Sequence, residues 1–343
     1  MTWQIKSSLP IEYSIELVDN VLTLNHVNSK RRIIVIDKLV YELYKDKLIT
    51  DNAKILLVEC NELSKSRDHA YRILSFFEDQ KVLRRSEPVI VIGGGVLLDL
   101  VGFCCSVYRR GIPYIRVPTT LLAMVDASVG VKTSINMFDR RNRVGSYYPP
   151  QQVLIDTSFI LTQDSRQIAN GYAEIIKLAI ACDATLFEML ENRADQQQIV
   201  KRAIDTMIDQ LKDNLWETNL KRPVDFGHTF SPVVEMKNIT ELLHGEAVIL
   251  DCLFSSIIAN NRGLLNDHDL DRIRNLIVGY NLPTTHIDFA DSDLIYSGLQ
   301  DTIQHRNGQQ NTPLPTAIGS CFIVNDISLD EVQQAATSMS DYD

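Results

Sequence analysis

The sequence predicts an α/β fold in two parts, an N-terminal half built on a mostly parallel sheet and a C-terminal half that is mainly helical. Three observations carry this expectation. Short β-branched runs alternate with helical segments over roughly the first 160 residues. Near Gln163 the strand signal fades and three-to-four periodicity dominates. The chain has 343 residues, too many for one small core and suited to two domains.

In order, the strand-like runs are residues 32–36, 55–58, 89–92, 114–117 and 153–155. Between them lie 39–48, 65–82 and 96–108, each with apolar residues at helical spacing. Such alternation implies a Rossmann-like parallel sheet with helices on both faces and ligands at the carboxyl ends of the strands. The second half reads as helices at 168–182, 186–215, 242–259 and 269–278. A late run, 321–324, reads as a strand returning to the main body. Two prolines in Tyr148-Pro149-Pro150 end an element, and the domains are expected at 1–160 and 161–343 with the site in a cleft between them.

Composition is that of an ordinary globule, 45% hydrophobic and 23% charged, without repeats. Net charge is 34 − 44 = −10, which disfavours nucleic acid and anionic membranes as partners. An anionic substrate therefore needs a local basic pocket. Cys60, Cys104, Cys105, Cys182, Cys252 and Cys321 show no paired spacing and read as thiols in a reducing cytoplasm. Met1 to Lys6 lack a signal-type start, and no apolar run approaches the roughly 18 residues of a membrane span.

Chemistry is concentrated in three places. Phe226-Gly227-His228-Thr229-Phe230-Ser231-Pro232 is followed by His244-Gly245-Glu246, and Glu174 lies upstream in Gly171-Tyr172-Ala173-Glu174-Ile175-Ile176-Lys177. Two imidazoles and a carboxylate suit a catalytic zinc that keeps one position open, although each histidine alone is as readily a core or surface residue. In Ile92-Gly93-Gly94-Gly95-Val96-Leu97-Leu98-Asp99, a buried strand enters three glycines and then an apolar helix. Backbone without Cβ atoms can approach a pyrophosphate at the helix N-terminus; a glycine turn without ligand is the alternative. Asp99, an acid inside an apolar helix, needs a hydrogen-bonding partner that a ribose or nicotinamide could supply. Third, Thr119 and Thr120 at a strand end precede Asp126 and Lys132, which bracket Gly130, and the basic loop Asp139-Arg140-Arg141-Asn142-Arg143. A capped helix start and a solvated loop explain the threonines and arginines. Asp126 and Lys132 are better suited to phosphate and hydroxyl groups.

With these motifs in order from about residue 30 to 325, the chain resembles the sugar phosphate cyclases, the superfamily of 3-dehydroquinate synthase. The resemblance implies NAD and Zn2+, with Co2+ as an alternative metal, a small sugar phosphate substrate and a homodimer. It implies NAD contacts from Asp37, Glu62, Lys65, Gly94, Gly95, Asp99, Thr119, Thr120, Lys132, Arg141 and Thr162. Glu174, His228 and His244 match the metal ligands. Asp126, Lys132, Asn142 and Lys177 match residues around the sugar ring and its phosphate, with Arg110 a further phosphate contact. Arg141 stands where the family usually has lysine, which alters donor geometry.

Departures from the dehydroquinate synthase pattern bear on substrate. Met207 stands where a lysine helps grip the substrate carboxylate, Lys221 where an arginine stands, Asp225 for asparagine and Pro232 for histidine. Asp225-Phe226-Gly227-His228, with Asn214 to Glu217 before it and His305-Arg306-Asn307-Gly308 after it, resembles the 2-epi-5-epi-valiolone synthase branch. That branch takes sedoheptulose 7-phosphate, whose hydroxymethyl replaces a carboxylate; Asp225 with His305 as partner would bind there. An exposed loop before the Asn307-Gly308 turn also explains His305. The implied chemistry is transient oxidation by NAD, phosphate elimination, re-reduction and intramolecular aldol closure. Synthases of 2-epi-valiolone or desmethyl-4-deoxygadusol, 3-dehydroquinate synthase, a glycerol dehydrogenase-like oxidoreductase and a silent sugar-phosphate-binding protein are the competing readings.

Overall fold

The computed structural model describes residues 11–27, 29, 31–138 and 140–340. Met1 to Lys6 and Asp139, both used above, lie outside the described residues. The chain divides into two compact units. One runs to Pro118 and takes in Val131–Met137 and Asn142–Asp156; the other holds Thr119–Gly130, the described part of Phe138–Arg141 and the chain from Thr157 on.

The first unit contains β1 (Ser14–Leu17), β2 (Arg32–Asp37), β3 (Ala53–Val58), β4 (Val89–Gly93) and β5 (Tyr114–Pro118). It continues with β6 (Lys132–Met137), most of β7 (Arg140–Tyr147) and β8 (Gln152–Ile155). Six of them form one parallel sheet in the order β1-β8-β5-β4-β2-β3. β1 was not expected, because Ser-Ile-Glu-Leu is too short to register as an apolar run. The basic segment at 140–143 is not a loop: it opens β7, which pairs with β6 in a separate two-stranded sheet.

Helices α1 (Lys38–Tyr44), α2 (Arg67–Asp79) and α3 (Gly95–Val107) follow β2, β3 and β4. The side chain of Asp37 accepts from the N–H groups of Leu39 and Val40 and so starts α1; Ser66 accepts from His69 N–H and starts α2. No side chain caps α3, which begins on the glycine turn. β2 is flanked by β3 on one side and β4 on the other. Chain direction across the sheet therefore reverses between β2 and β4, and ligands of doubly wound sheets bind beyond the carboxyl ends of such a pair. Those ends are Asp37 and Gly93.

The second unit contains α4 (Ser165–Cys182), α5 (Ala184–Glu191), α6 (Gln196–Leu211), α7 (Ser231–Lys237), α8 (His244–Asn261), α9 (Asp267–Gly279), α10 (Ile287–Ala290), α11 (Ser292–His305) and α12 (Leu329–Ser340). The segment expected as one helix from 186 to 215 is two, because Asp195 starts a new one by accepting from the N–H groups of Gln197 and Gln198. The late strand does not return to the main sheet. It is β10 (Ser320–Val324), antiparallel to β9 (Thr312–Ala317). α8 is apolar around nearly its whole circumference and forms the centre of this unit, with α4 packed along it. A π-helical turn, Ala123–Ala127, carries Asp126. Among the described residues no helix is long and apolar enough to cross a membrane.

Candidate active site

Close approach of α4 and α8 builds the centre of the second unit. A Cβ on Gly245 would lie 2.2 Å from the Asn170 carbonyl, and one on Gly171 would lie 2.6 Å from Leu121 Cβ. Glycine at both places lets Glu174 on α4 face His244, the first residue of α8. Asn170 Oδ1 accepts from Gly245 N–H at 2.5 Å and holds that helix end. His228 comes from the turn ahead of α7. Ligand atoms of Glu174, His228 and His244 all lie within 4.8 Å of one another. Glu174 Oε1 is 3.2 Å from His244 Nε2 and 3.9 Å from His228 Nε2.

Both Nε2 atoms face the carboxylate because both Nδ1 atoms are engaged elsewhere. His228 Nδ1 donates to the Phe226 carbonyl at 3.2 Å. His244 Nδ1 meets Glu235 Oε1 at 2.5 Å, and Glu235 Oε2 meets Arg141 Nη1 at 2.6 Å. A carboxylate or carbonyl behind an imidazole fixes its orientation and its basicity. The segment carrying His228 is clamped twice. Buried Asp251, on α8, accepts from the N–H groups of Thr229, Phe230 and Ser231 at 2.9, 2.6 and 2.8 Å. Buried Arg306 donates to Thr229 Oγ1 and to the His228 carbonyl, each at 3.2 Å.

Burial pushes the His228 imidazole down to about 3, helped by Lys177, so it is neutral and ready to donate a lone pair. Burial also opposes charge on Glu174, but Lys177 foremost and then the histidines outweigh it and hold the carboxyl well below its usual range. His244 is raised to about 10: burial opposes the imidazolium, and Glu235 and Glu174 overcome it. Lys177 pairs with Glu174; burial works against its charge, and Glu174 and Asp126 keep its pKa above the ordinary lysine value. Fully buried Glu174 meets Lys177 and His244 at ion-pair distance, and neither of its oxygens is used in a hydrogen bond of good geometry. Two imidazoles and a carboxylate converging on one point fit a zinc-like cation with an open coordination position, His244 giving up its Nε2 proton when the ion binds.

In the first unit, Gly93 packs against Leu97 and Asp37: a Cβ there would lie 2.7 Å from Leu97 Cδ2 and 3.4 Å from Asp37 Cβ. Gly94 and Gly95 open α3 with no side chain capping its first N–H groups and with the positive end of the helix dipole, a fit for a pyrophosphate. Asp99 does find a partner within the protein. Lys65 Nζ lies 2.6 Å from Asp99 Oδ2 and contacts Asn142 Oδ1, while Ser134 Oγ donates to Asn142 Oδ1 at 2.9 Å. Glu62 Oε1 accepts from Asn136 at 2.8 Å. Lys132 heads β6 and is exposed. Arg110 is exposed, with φ 61° between Arg109 at 50° and Gly111 at 105°.

In the second unit, Thr120 Oγ1 accepts from Ala123 N–H, and Thr162 Oγ1 donates to the Phe159 carbonyl. Thr119 is buried directly after β5. Arg141 pairs with Glu235. Met207 is buried on α6, Lys221 is exposed and Pro232 lies in the first turn of α7. Asp225 does not partner His305. It pairs with Arg222 at 3.1 Å, while half-exposed His305 lies 3.8 Å from Asp301. Glu235, Asp251, Asn170 and Arg222 were not singled out from sequence. Asp251, an acid inside an apolar helix, carried the same signal that marked Asp99; the other three carried none.

A doubly wound sheet with a glycine turn at its switch point, in a chain that also carries a helical unit bearing a glutamate and two histidines, defines an α/β enzyme of the type that handles nucleotide cofactors and polar substrates. Residues 55–170 match the 3-dehydroquinate synthase N-terminal family and residues 171–303 the C-terminal family. The chain belongs to the 3-dehydroquinate synthase family, the sugar phosphate cyclases. It is 39% identical to a 2-epi-5-epi-valiolone synthase of Streptomyces albus, over 98% of this chain and 90% of that one. A synthase of the same description from Actinoplanes is 38% identical over 98% of this chain and 92% of that one. The solved structure of 2-epi-5-epi-valiolone synthase from Streptomyces hygroscopicus subsp. jinggangensis 5008 with NAD+ and Zn2+ bound superposes with a TM-score of 0.96 at 37% identity, covering 99% of this chain and 100% of that one.

Proposed function

We propose that this chain converts sedoheptulose 7-phosphate to 2-epi-5-epi-valiolone with release of phosphate. The observation that carries this reading is the near full-length likeness to synthases of that product, joined to an Asp225–Arg222 pair where a carboxylate-gripping set would stand. NAD and Zn2+ would supply reversible oxidation of one sugar carbon and polarisation of its oxygen, which acidifies the neighbouring proton so that phosphate can leave.

Glu174, His228 and His244 would hold the metal, oriented by Glu235 and Asp251. Asp37, Glu62, Lys65, Gly94, Gly95, Asp99, Thr119, Thr120 and Thr162 would hold NAD, the glycine turn taking its pyrophosphate. Asp126, Lys132, Asn142, Lys177 and Arg110 would bind the ring hydroxyls and the phosphate. Arg141 acts behind Glu235. Asp225 would receive the hydroxymethyl end, with His305 as a secondary substrate contact. Residues 1–160 would form the NAD-binding domain and 161–343 the metal-binding domain, with Arg110, Asp126, Lys132 and Asn142 of the first reaching the substrate and Thr162 of the second reaching NAD, in a homodimer in the cytoplasm. Zinc-loaded protein incubated with sedoheptulose 7-phosphate and catalytic NAD should release phosphate and yield 2-epi-5-epi-valiolone by product NMR. No phosphate release, or net NADH accumulation, would reject the reading.

A further inference from the structure

We infer that Arg222 is a positioning residue that aims the Asp225 carboxylate and thereby sets which sugar end the site accepts. The inference rests on the role proposed above for Asp225. Arg222 is buried, and its single nitrogen Nη1 bridges two acids, lying 2.8 Å from Glu217 Oε1 and 3.1 Å from Asp225 Oδ1. Its backbone closes the same turn: the Arg222 carbonyl accepts from Asp225 N–H, and the Asp225 carbonyl accepts from His228 N–H, both at 3.1 Å. One short segment thus couples Arg222, Asp225 and a candidate metal ligand.

The far end of the bridge is anchored as well. Glu217 has a left-handed φ of 53°, which a non-glycine residue keeps only when its surroundings hold it there. Asn214 supplies that hold. Its side chain donates to the Asn219 carbonyl at 2.7 Å and accepts from Asn219 N–H at 3.1 Å, while its carbonyl accepts from Glu217 N–H at 2.9 Å. Glu217 fixes Arg222, and Arg222 fixes one oxygen of Asp225. The second oxygen, Oδ2, then has a defined direction for accepting hydrogen bonds from substrate hydroxyls. The three side chains together carry a net negative charge. Arg222 is therefore a cation already satisfied by two acids, unfit to grip a substrate carboxylate.

Steady-state kinetics on metal-loaded protein with NAD decide the matter, using sedoheptulose 7-phosphate and 3-deoxy-arabino-heptulosonate 7-phosphate. Arg222→Gln should raise KM for the hydroxymethyl sugar roughly tenfold or more while kcat changes less. Arg222→Lys should recover part of the loss, since one nitrogen does the bridging. Asp225→Asn combined with Arg222→Gln should be little worse than Asp225→Asn alone, because Arg222 acts through Asp225. Should Arg222→Gln fail to fold, Glu217→Gln removes one anchor of the bridge and should raise KM in the same direction. An unchanged KM, or losses that multiply in the double variant, would overturn the inference. If the wild type turns over only the carboxylated sugar, the proposed function falls, and the coupling measured with that sugar still decides whether Arg222 works through Asp225.

Discussion

A fully buried carboxylate is unfavourable unless cations compensate, and Glu174 stands in that position between Lys177 and two imidazoles. His228→Ala should leave purified protein nearly free of zinc and abolish phosphate release, with little change in the thermal melt, because a catalytic ion is seldom the main source of stability. Full zinc content by elemental analysis, with activity intact, would remove His228 from the ligand set. Glu235→Gln weakens the acceptor behind His244 and loosens Arg141. Zinc affinity in a chelator competition should fall roughly ten- to a hundredfold. At this scale the sequence was legible for Glu174, His228 and His244, which stand in recognisable local motifs. Glu235 was not: its meaning lies in touching His244 and Arg141, and Arg141 is far away in sequence.

The crossing of α4 and α8 depends on what glycine omits. Gly245→Ala places a methyl against the Asn170 backbone carbonyl, which cannot rotate away. We expect a loss of roughly 1–3 kcal/mol in denaturant unfolding, together with weaker zinc binding, since His244 must shift with its helix. Unchanged stability and metal binding would mean that the two helices have slack at this contact. A second element contact reports pH. Arg262 at the end of α8 grips Glu331 of α12 through two bonds, Nε–Oε1 at 2.5 Å and Nη2–Oε2 at 2.9 Å. The bond from Arg262 is the main reason the Glu331 carboxyl is lowered from 4.5 to about 2. A depressed folded pKa contributes stability above the ordinary pKa and loses it as pH falls through the folded one. Glu331→Gln should therefore cost roughly 1 kcal/mol near neutral pH, and the gap to wild type should close between pH 4.5 and about 2. A gap independent of pH would assign the cost to packing. Element types were legible from periodicity, but the break before α6 was missed: between Leu190 and Ile199 only Ala194 is apolar, and Asp195 caps the new helix there.

For the whole molecule, the sharpest expectation concerns the choice between two sugars. Catalytic efficiency should favour sedoheptulose 7-phosphate over 3-deoxy-arabino-heptulosonate 7-phosphate by on the order of a hundredfold. The structure changes the reason. A cation is present at Arg222, but it is paired with Glu217 and Asp225, so in the proposed site it would not be available to a substrate carboxylate. Comparable kcat/KM for the two sugars would refute this. Sugar labelled with deuterium at C5 should keep its label in the product; washout into added NADH would show that the cofactor exchanges during turnover.

What the sequence determined by itself was whatever a short stretch of chain encodes: alternating strands and helices, the glycine turn after β4, and motifs whose spacing marks the family. Those signals are local, arising from side-chain periodicity and from the backbone freedom of glycine. Only the tertiary structure decided the partnerships. The first unit gives up residues 119–130 to the second and then resumes, and β1 joins β8 across most of its length of chain. Asp99 meets Lys65, Glu235 meets Arg141, and Asp225 turns to Arg222 instead of His305. Such choices depend on which charged groups converge when distant segments fold together, where burial makes every unpaired charge costly, and no local pattern records that outcome.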